Sequence, residues 1–157
     1  RDWSSDVCSS DLYNCYYENI HINQNIFDNL NEYALTPLKS KDTFITKNKF
    51  INCNGGIRFL GVKDGKNAAD PITGQVMETQ AGENFNVIGN TFIGKMKRDA
   101  IHIRSYHHVQ HQNVFIAANQ FEDASQSIHL ENINGLTLNQ EQTKIKIKSI
   151  DVKNISN

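Results

Sequence analysis

The sequence predicts an all-β fold in which short parallel strands stack into a solenoid. The first observation is a repeated Asn-x-Phe motif with an aliphatic residue three positions before the Asn. Its Asn residues are Asn25, Asn48, Asn90 and Asn119. The second observation is that aliphatic and polar residues alternate just before the motif, as at Val114 and Ile116, which is typical of a strand with one buried face. Repeats of this length indicate stacked units that are each too small to bury their own apolar surface.

The spacing of the motif defines the repeating unit. The shortest intervals give a unit of about 22 residues, and a further unit follows in which Glu141 takes the place of the Asn. The wider interval between Asn48 and Asn90 accommodates an insertion, and we expect a long loop at residues 61–83. Leucine-rich repeats have similar lengths, but their Leu-x-x-Leu-x-Leu consensus is missing here.

Each unit is predicted to contain three short strands. The first strand ends just before the Asn, the second carries the Phe, and the third begins about nine residues after the Asn. The third strands are residues 57–59, 101–103 and 128–130, where aliphatic or aromatic residues flank a polar one. Neighbouring strands lie about 4.8 Å apart, so equivalent Asn side chains should stack and hydrogen-bond to one another, and the Phe rings should stack beside them.

The two ends of the chain differ from the repeats. Residues 1–12 lack the pattern and resemble a translated sequencing adapter, so we expect an artefactual leader before a repeat region at 13–157 that is truncated at its N-terminus. The alternative is a genuine Ser-rich tail. Near the other end, Glu141 and the alternating Lys and Ile residues at 144–148 indicate that the repeats taper. Cys15 and Cys53 are expected to be buried free thiols. A disulfide between them is the alternative, because sequence separation alone does not establish whether they lie close together.

Composition narrows the range of partners. The chain has 16 Lys and Arg against 17 Asp and Glu, a net charge of −1, which gives no broad attraction for nucleic acid. No segment approaches the roughly 20 apolar residues that span a bilayer. We therefore expect neither a nucleic-acid partner nor a membrane span.

Stacking converts the repeat into columns of neighbouring side chains. The central residues of the third strands, Arg58, His102 and His129, should form one outward column, because equivalent positions lie roughly 5 Å apart. Arg104 and Glu131 stand two positions further on and should join the same polar patch. The alternative is that these residues have no binding role, because an exposed sheet face is polar in any case.

The segments 113–121 and 128–138, with their Asn, Phe and alternating aliphatic residues, resemble coils of the right-handed parallel β-helix, of which we expect five to six here. The chain thus resembles the pectate-lyase-like superfamily, and among its members the C-terminal coils of β-helical glycoside hydrolases such as α-1,3-galactosidases. The resemblance implies a secreted, extracellular or periplasmic, monomeric carbohydrate-active protein. It also implies that an oligosaccharide or polysaccharide binds over the third strands. The implied substrate-binding residues are Arg58, His102, Arg104, Tyr106 and His129.

The catalytic residues are less well defined. A glycosidase needs two carboxylates. The candidates are Asp99, Glu131 and Asp70, but the sequence does not single out a pair among them. The catalytic pair can also lie in coils upstream of the given sequence. A glycoside hydrolase is favoured over a polysaccharide lyase because no acidic cluster for Ca²⁺ accompanies the Arg and His residues. A non-catalytic adhesin or tailspike-like glycan-binding protein is the other alternative.

A metal site is not expected from the sequence, nor is another cofactor. His107, His108 and His111 lie close together in a predicted loop that extends over 104–112, but no nearby acidic or Cys residue completes a ligand set.

Overall fold

The computed structural model describes residues 17–61, 80–123, 125–139 and 145–156. Within these ranges the regular structure is entirely β, so no helix there could cross a bilayer. The strands are β1 (Tyr17–Asn23), β2 (Ile26–Asp28), β3 (Tyr33–Leu35), β4 (Ser40–Thr46), β5 (Lys49–Ile51), β6 (Gly55–Leu60), β7 (Glu83–Ile88), β8 (Thr91–Ile93), β9 (Ile101–Arg104), β10 (His111–Ala117), β11 (Gln120–Phe121), β12 (Ser127–Asn139) and β13 (Lys146–Ser156). The predictions made for residues 1–12, Cys15, Asp70 and Glu141, and for most of the 61–83 loop, fall outside the described residues.

Most strands pair with the strand three places further along the chain, and the exceptions are the pairs β10–β12 and β12–β13. One sheet has the order β1-β4-β7-β10-β12-β9-β6-β3, with β13 paired to β12, and the other has the order β11-β8-β5-β2. All of these pairs are parallel. β12 pairs with β10 through residues 133–139 and with β9 through residues 128–131. This all-parallel, curled arrangement is compatible with the predicted parallel solenoid.

We name three series of strands by their position in the repeat. The A series is β1, β4, β7, β10 and the second half of β12. The B series is β2, β5, β8 and β11. The C series is β3, β6, β9 and the first half of β12. These series match the three short strands predicted for each unit.

The repeated Asn residues form a hydrogen-bonded ladder where the A strands lead into the B strands. The side-chain amides of Asn25, Asn48 and Asn90 each donate to the side-chain oxygen of the next ladder Asn, at 3.2, 3.0 and 3.0 Å. The Asn48 and Asn90 amides also donate, each at 2.8 Å, to the carbonyls of Ile22 and Ile45 on the A strand of the preceding layer. The Asn25 amide donates instead to Asn23 on its own A strand at 3.1 Å. Buried amides therefore satisfy one another, as the sequence predicted.

The Phe residues of the motif stack inside the molecule. Ring centroids are 5.0 Å apart for Phe27 and Phe50, 4.8 Å for Phe50 and Phe92, and 5.1 Å for Phe92 and Phe121. Cys53 is a buried free thiol in the same core, as predicted. The aromatic column and the Asn ladder thus hold the same parallel register.

A second polar column runs through the A series and was not predicted. Asp42, Asn84 and Asn113 occupy equivalent left-handed positions, with φ between 49° and 54°. The Asn84 amide donates to Asp42 at 2.8 Å, and the Asn113 amide donates to Asn84 at 3.1 Å. Gly135 follows at the next equivalent position with φ 82°. Asn, Asp and Gly tolerate this conformation best, which explains the choice of residues.

His111 corrects the sequence interpretation. The sequence predicts a loop at this residue, but His111 begins β10, is fully buried, and stacks on Phe59 with centroids 4.3 Å apart. The Gly82 N–H donates to its Nδ1 at 2.9 Å, and its Nε2–H donates to the Arg104 carbonyl at 3.0 Å. Both ring nitrogens are satisfied by backbone groups, so a polar ring can be buried at this corner.

Candidate functional site

The predicted column exists on the C series. Arg58 is the register partner of His102, and His102 is the register partner of His129. The two imidazoles stack with centroids 4.6 Å apart and planes inclined by 8°. The parallel register therefore places these chemistry-bearing side chains side by side.

An open cleft of about 450 Å³ lies beside this column. It is formed by β3, β6 and β9 and by the segments that precede β9 and β12. Its lining residues are Tyr33, Arg58, Leu60, Met96, Lys97, Arg98, Asp99, His102, Arg104, Ser125 and Ser127. Arg58, His102 and Arg104 were predicted as binding residues, and Asp99 as a candidate acid. His129 lies at the margin, against Asp99.

Asp99 connects the column with the cleft. Its Oδ1 accepts a hydrogen bond of 2.6 Å from the Ser127 hydroxyl. Its Oδ2 lies 3.6 Å from Nδ1 of His102 and 3.7 Å from Nδ1 of His129. Both distances exceed the length of a normal hydrogen bond. Oδ2 of Asp99 and the two Nδ1 atoms therefore face one another around a small gap. Asp99 thus belongs to the same cluster as both histidines.

Tyr33 is a central cleft residue that was not predicted from the sequence. Its hydroxyl forms a hydrogen bond of 3.2 Å with Nδ1 of His102. The guanidinium carbons of Arg58 and Arg98 lie 5.0 and 5.7 Å from its ring centroid. Burial raises the pKa of Tyr33, and the Asp99 charge adds to this rise, so the phenol is protonated near neutral pH. The ring packs on Gly55, where a Cβ would come within 2.7 Å of it.

The two histidines of the column are largely buried, each with 18% of its side chain exposed. Burial lowers the pKa of His102, and a charge on His129 lowers it further, while Asp99 opposes the shift. His102 is therefore neutral at pH 7. The Nε2 atoms of both rings and Nε of Arg58 are buried without a hydrogen-bond partner among the described residues. Such atoms favour a polar ligand or water.

Glu131 contacts the other edge of His129, with Oε2 3.8 Å from Nε2. It does not line the cleft, and its register partner is Arg104. Asp99 and Glu131 therefore flank a single imidazole, and Asp99 is the one carboxylate on the described cleft wall.

Tyr106 and the neighbouring histidines lie apart from the cleft. Tyr106 packs near His108, with centroids 6.4 Å apart, and does not line the cleft. His107 Nδ1 lies 2.8 Å from Asp151. Because His111 is buried at the start of β10, the three histidines of this segment do not form a joint metal site.

No protein-family model matches the chain, and neither a curated protein nor a solved structure matches it.

Proposed function

We propose that the chain is part of a carbohydrate-active, right-handed parallel β-helix of five to six coils and that its cleft binds an oligosaccharide. The single observation that carries this proposal is the cleft beside the Arg58–His102–His129 column. Guanidinium, imidazole, phenol and carboxylate groups face one open groove there. Such groups form the directional hydrogen bonds that hydroxyl-rich ligands need.

The unsatisfied donors strengthen this proposal. Nε of Arg58 is buried and has no partner among the described residues, although a planar guanidinium favours fixed, paired acceptors. Arg104 lines the same cleft, with its side chain exposed and outside every ion pair of the described residues. Hydroxyl or carboxylate oxygens of a glycan would satisfy both groups. A protein of this kind would act outside the cytoplasm, in the extracellular or periplasmic space.

Glycoside hydrolysis is the favoured activity, with Asp99 as the candidate acid or base. The Ser127 hydroxyl holds one carboxylate oxygen, while the other faces the two imidazoles. Glycosidases use two carboxylates, and Asp99 is the one carboxylate on the described wall. That observation supports a second candidate, glycan binding without catalysis, as in an adhesin or tailspike. A polysaccharide lyase is the further alternative, because Arg58 and Arg104 could hold a uronate.

The test is a screen of neutral and uronate-containing oligosaccharides by calorimetry and product analysis. New reducing ends without unsaturated sugars indicate a hydrolase, unsaturated products indicate a lyase, and binding without turnover supports the non-catalytic candidate. We expect Arg58→Met to weaken binding at least about tenfold, since buried charge-assisted hydrogen bonds contribute about 1.5–3 kcal/mol. Lys49→Met, at an exposed site on β5, is the matched control. Absence of binding to every glycan, or equal binding by Arg58→Met, would refute the proposal.

A further inference from the structure

We propose that Asp99, His102 and His129 together bind one divalent transition-metal ion, with Zn²⁺ as the preferred ion. The metal-ligating atoms of these three residues all lie within 4.8 Å of one another. The residues come from β9, from the segment before it and from β12, so the parallel register brings them together. This inference does not rest on oligosaccharide binding.

The facing atoms leave a gap of suitable size for an ion. Oδ2 of Asp99 lies 3.6 and 3.7 Å from the two Nδ1 atoms, too far for strong hydrogen bonds. Zn²⁺ sits about 2.0–2.2 Å from nitrogen and carboxylate ligands, so ligand atoms around it are separated by distances of this order. An ion at this point would replace two weak contacts with three coordination bonds.

The donor set selects a class of metal. Two imidazoles and one carboxylate suit Zn²⁺ and related transition metals, whereas Ca²⁺ and Mg²⁺ prefer a shell of oxygens. Three protein ligands leave a fourth tetrahedral position for water or another ligand, as in catalytic rather than structural zinc sites.

Neighbouring groups can orient two of the three ligands. Ser127 holds Oδ1 of Asp99 at 2.6 Å and leaves Oδ2 directed towards the histidines. Glu131 lies 3.8 Å from Nε2 of His129, on the edge opposite Nδ1. A carboxylate on the far nitrogen of a metal-bound imidazole fixes its tautomer and raises its basicity. Glu131 would thus be a positioning residue, and its interaction with Nε2 would shorten when the ion binds.

Three features oppose binding and set its strength. The Tyr33 hydroxyl already forms a hydrogen bond of 3.2 Å with Nδ1 of His102 and must release it. The imidazole planes are nearly parallel, inclined by 8°, so at least one ring must rotate about χ2 for both lone pairs to converge. The χ2 torsion of His has broad minima, so this rotation is inexpensive. The guanidinium groups of Arg58 and Arg104 line the same cleft and repel a cation. We therefore expect weaker binding than in a structural zinc site.

The experiment titrates the full chain with ZnCl₂ by calorimetry and with Co²⁺ by visible absorption. We expect one Zn²⁺ ion to bind per chain. The visible spectrum of bound Co²⁺ should indicate nitrogen ligands and a low coordination number. Glu131→Gln should weaken binding about 10- to 100-fold while all three ligands remain, and Asp99→Asn, His102→Asn and His129→Asn should each weaken it more than Glu131→Gln does. Circular dichroism spectra and melting curves check that each variant folds.

A matched control removes a pairing of a histidine with a carboxylate that lies outside the proposed metal site. His107 and Asp151 lie 2.8 Å apart at the surface, so His107→Asn should leave metal affinity unchanged. Tyr33→Phe frees Nδ1 of His102 and should leave the affinity unchanged or raise it. The proposal is overturned if the folded chain binds neither Zn²⁺ nor Co²⁺. It is also overturned if folded His102→Asn and His129→Asn bind like the unmodified chain, or if His107→Asn abolishes binding.

Discussion

The side-chain amide of Asn48 donates a 3.0 Å hydrogen bond to the side-chain oxygen of Asn90, although 42 residues separate them in the chain. The insertion predicted between them therefore leaves the ladder continuous. The Asn48 backbone N–H donates to the same oxygen, also at 3.0 Å. One buried carbonyl oxygen thus accepts two hydrogen bonds from the neighbouring layer.

Removing Asn90 should strongly destabilise the protein. Asn90→Ala leaves the Asn48 donors and the Ile45 carbonyl without this partner in a buried setting, while the Asn119 oxygen keeps only the backbone N–H of residue 90. Because each unsatisfied buried group costs about 1–3 kcal/mol, we expect a loss of about 3–5 kcal/mol in the free energy of unfolding. Urea denaturation measures it. Asn25→Ala, at the exposed end of the ladder, should cost about 1 kcal/mol or less, and equal costs would contradict the ladder's role.

Gly94 and Gly89 should respond differently to substitution, although both have positive φ. At Gly94, with φ 83°, an added Cβ would lie 2.5 Å from Oδ1 of Asn52. At Gly89, with φ 65°, the nearest atom would be a Lys47 side-chain carbon at 3.8 Å. We expect Gly94→Ala to cost about 1–3 kcal/mol and Gly89→Asn less than about 0.5 kcal/mol, since Asn tolerates left-handed backbone. A comparison of melting temperatures decides whether the crowding at Gly94 matters.

His111 should make the stability of the protein depend on pH. Burial lowers its pKa from 6.5 to about 4, with partial opposition from the hydrogen bond to Arg104. As the pH falls below 6.5, the unfolded chain takes up a proton that the folded chain excludes. The free energy of unfolding should therefore decrease between about pH 6.5 and pH 4, by about 3 kcal/mol in total, and this term is fully present above that window.

Denaturation curves at several pH values, compared between variants, isolate this contribution. His111→Gln should be less stable at pH 7 and should lack this part of the pH dependence. His108→Gln, at an exposed residue, should retain the slope of the unmodified chain. If His111→Gln and the unmodified chain show the same slope, His111 does not carry the effect.

Repetition determines which features the sequence could predict. Asn48 and Asn90, or His102 and His129, are recognisable because each occupies the same place in its unit. Tyr33 stands one repeat unit before its register partner Gly55, so the same spacing places it on the C series. Its packing against the Gly55 backbone appears only in three dimensions. His111 was misassigned because a polar residue beside other histidines resembles a loop residue, while its two backbone partners become visible only in three dimensions.

One missed feature was available in the sequence. The left-handed A-series column contains Asn84 and Asn113, which stand at the same distance before Asn90 and Asn119. This fixed spacing before the ladder Asn residues marks the column in the sequence. The contacts of Asp99 are different, because they depend on the path of the segment before β9 and on the conformations of two imidazoles.

The most direct test of the central claim maps a bound oligosaccharide onto the protein by NMR. A ligand identified in the glycan screen is titrated into labelled protein, and amide and imidazole shifts are followed. We expect the largest changes at Tyr33, Arg58, residues 98–104 and residues 127–131. Changes centred instead on Phe44 and Phe115, in the groove of the A-series strands, or spread evenly over the surface, would contradict the assignment of the cleft as the binding site.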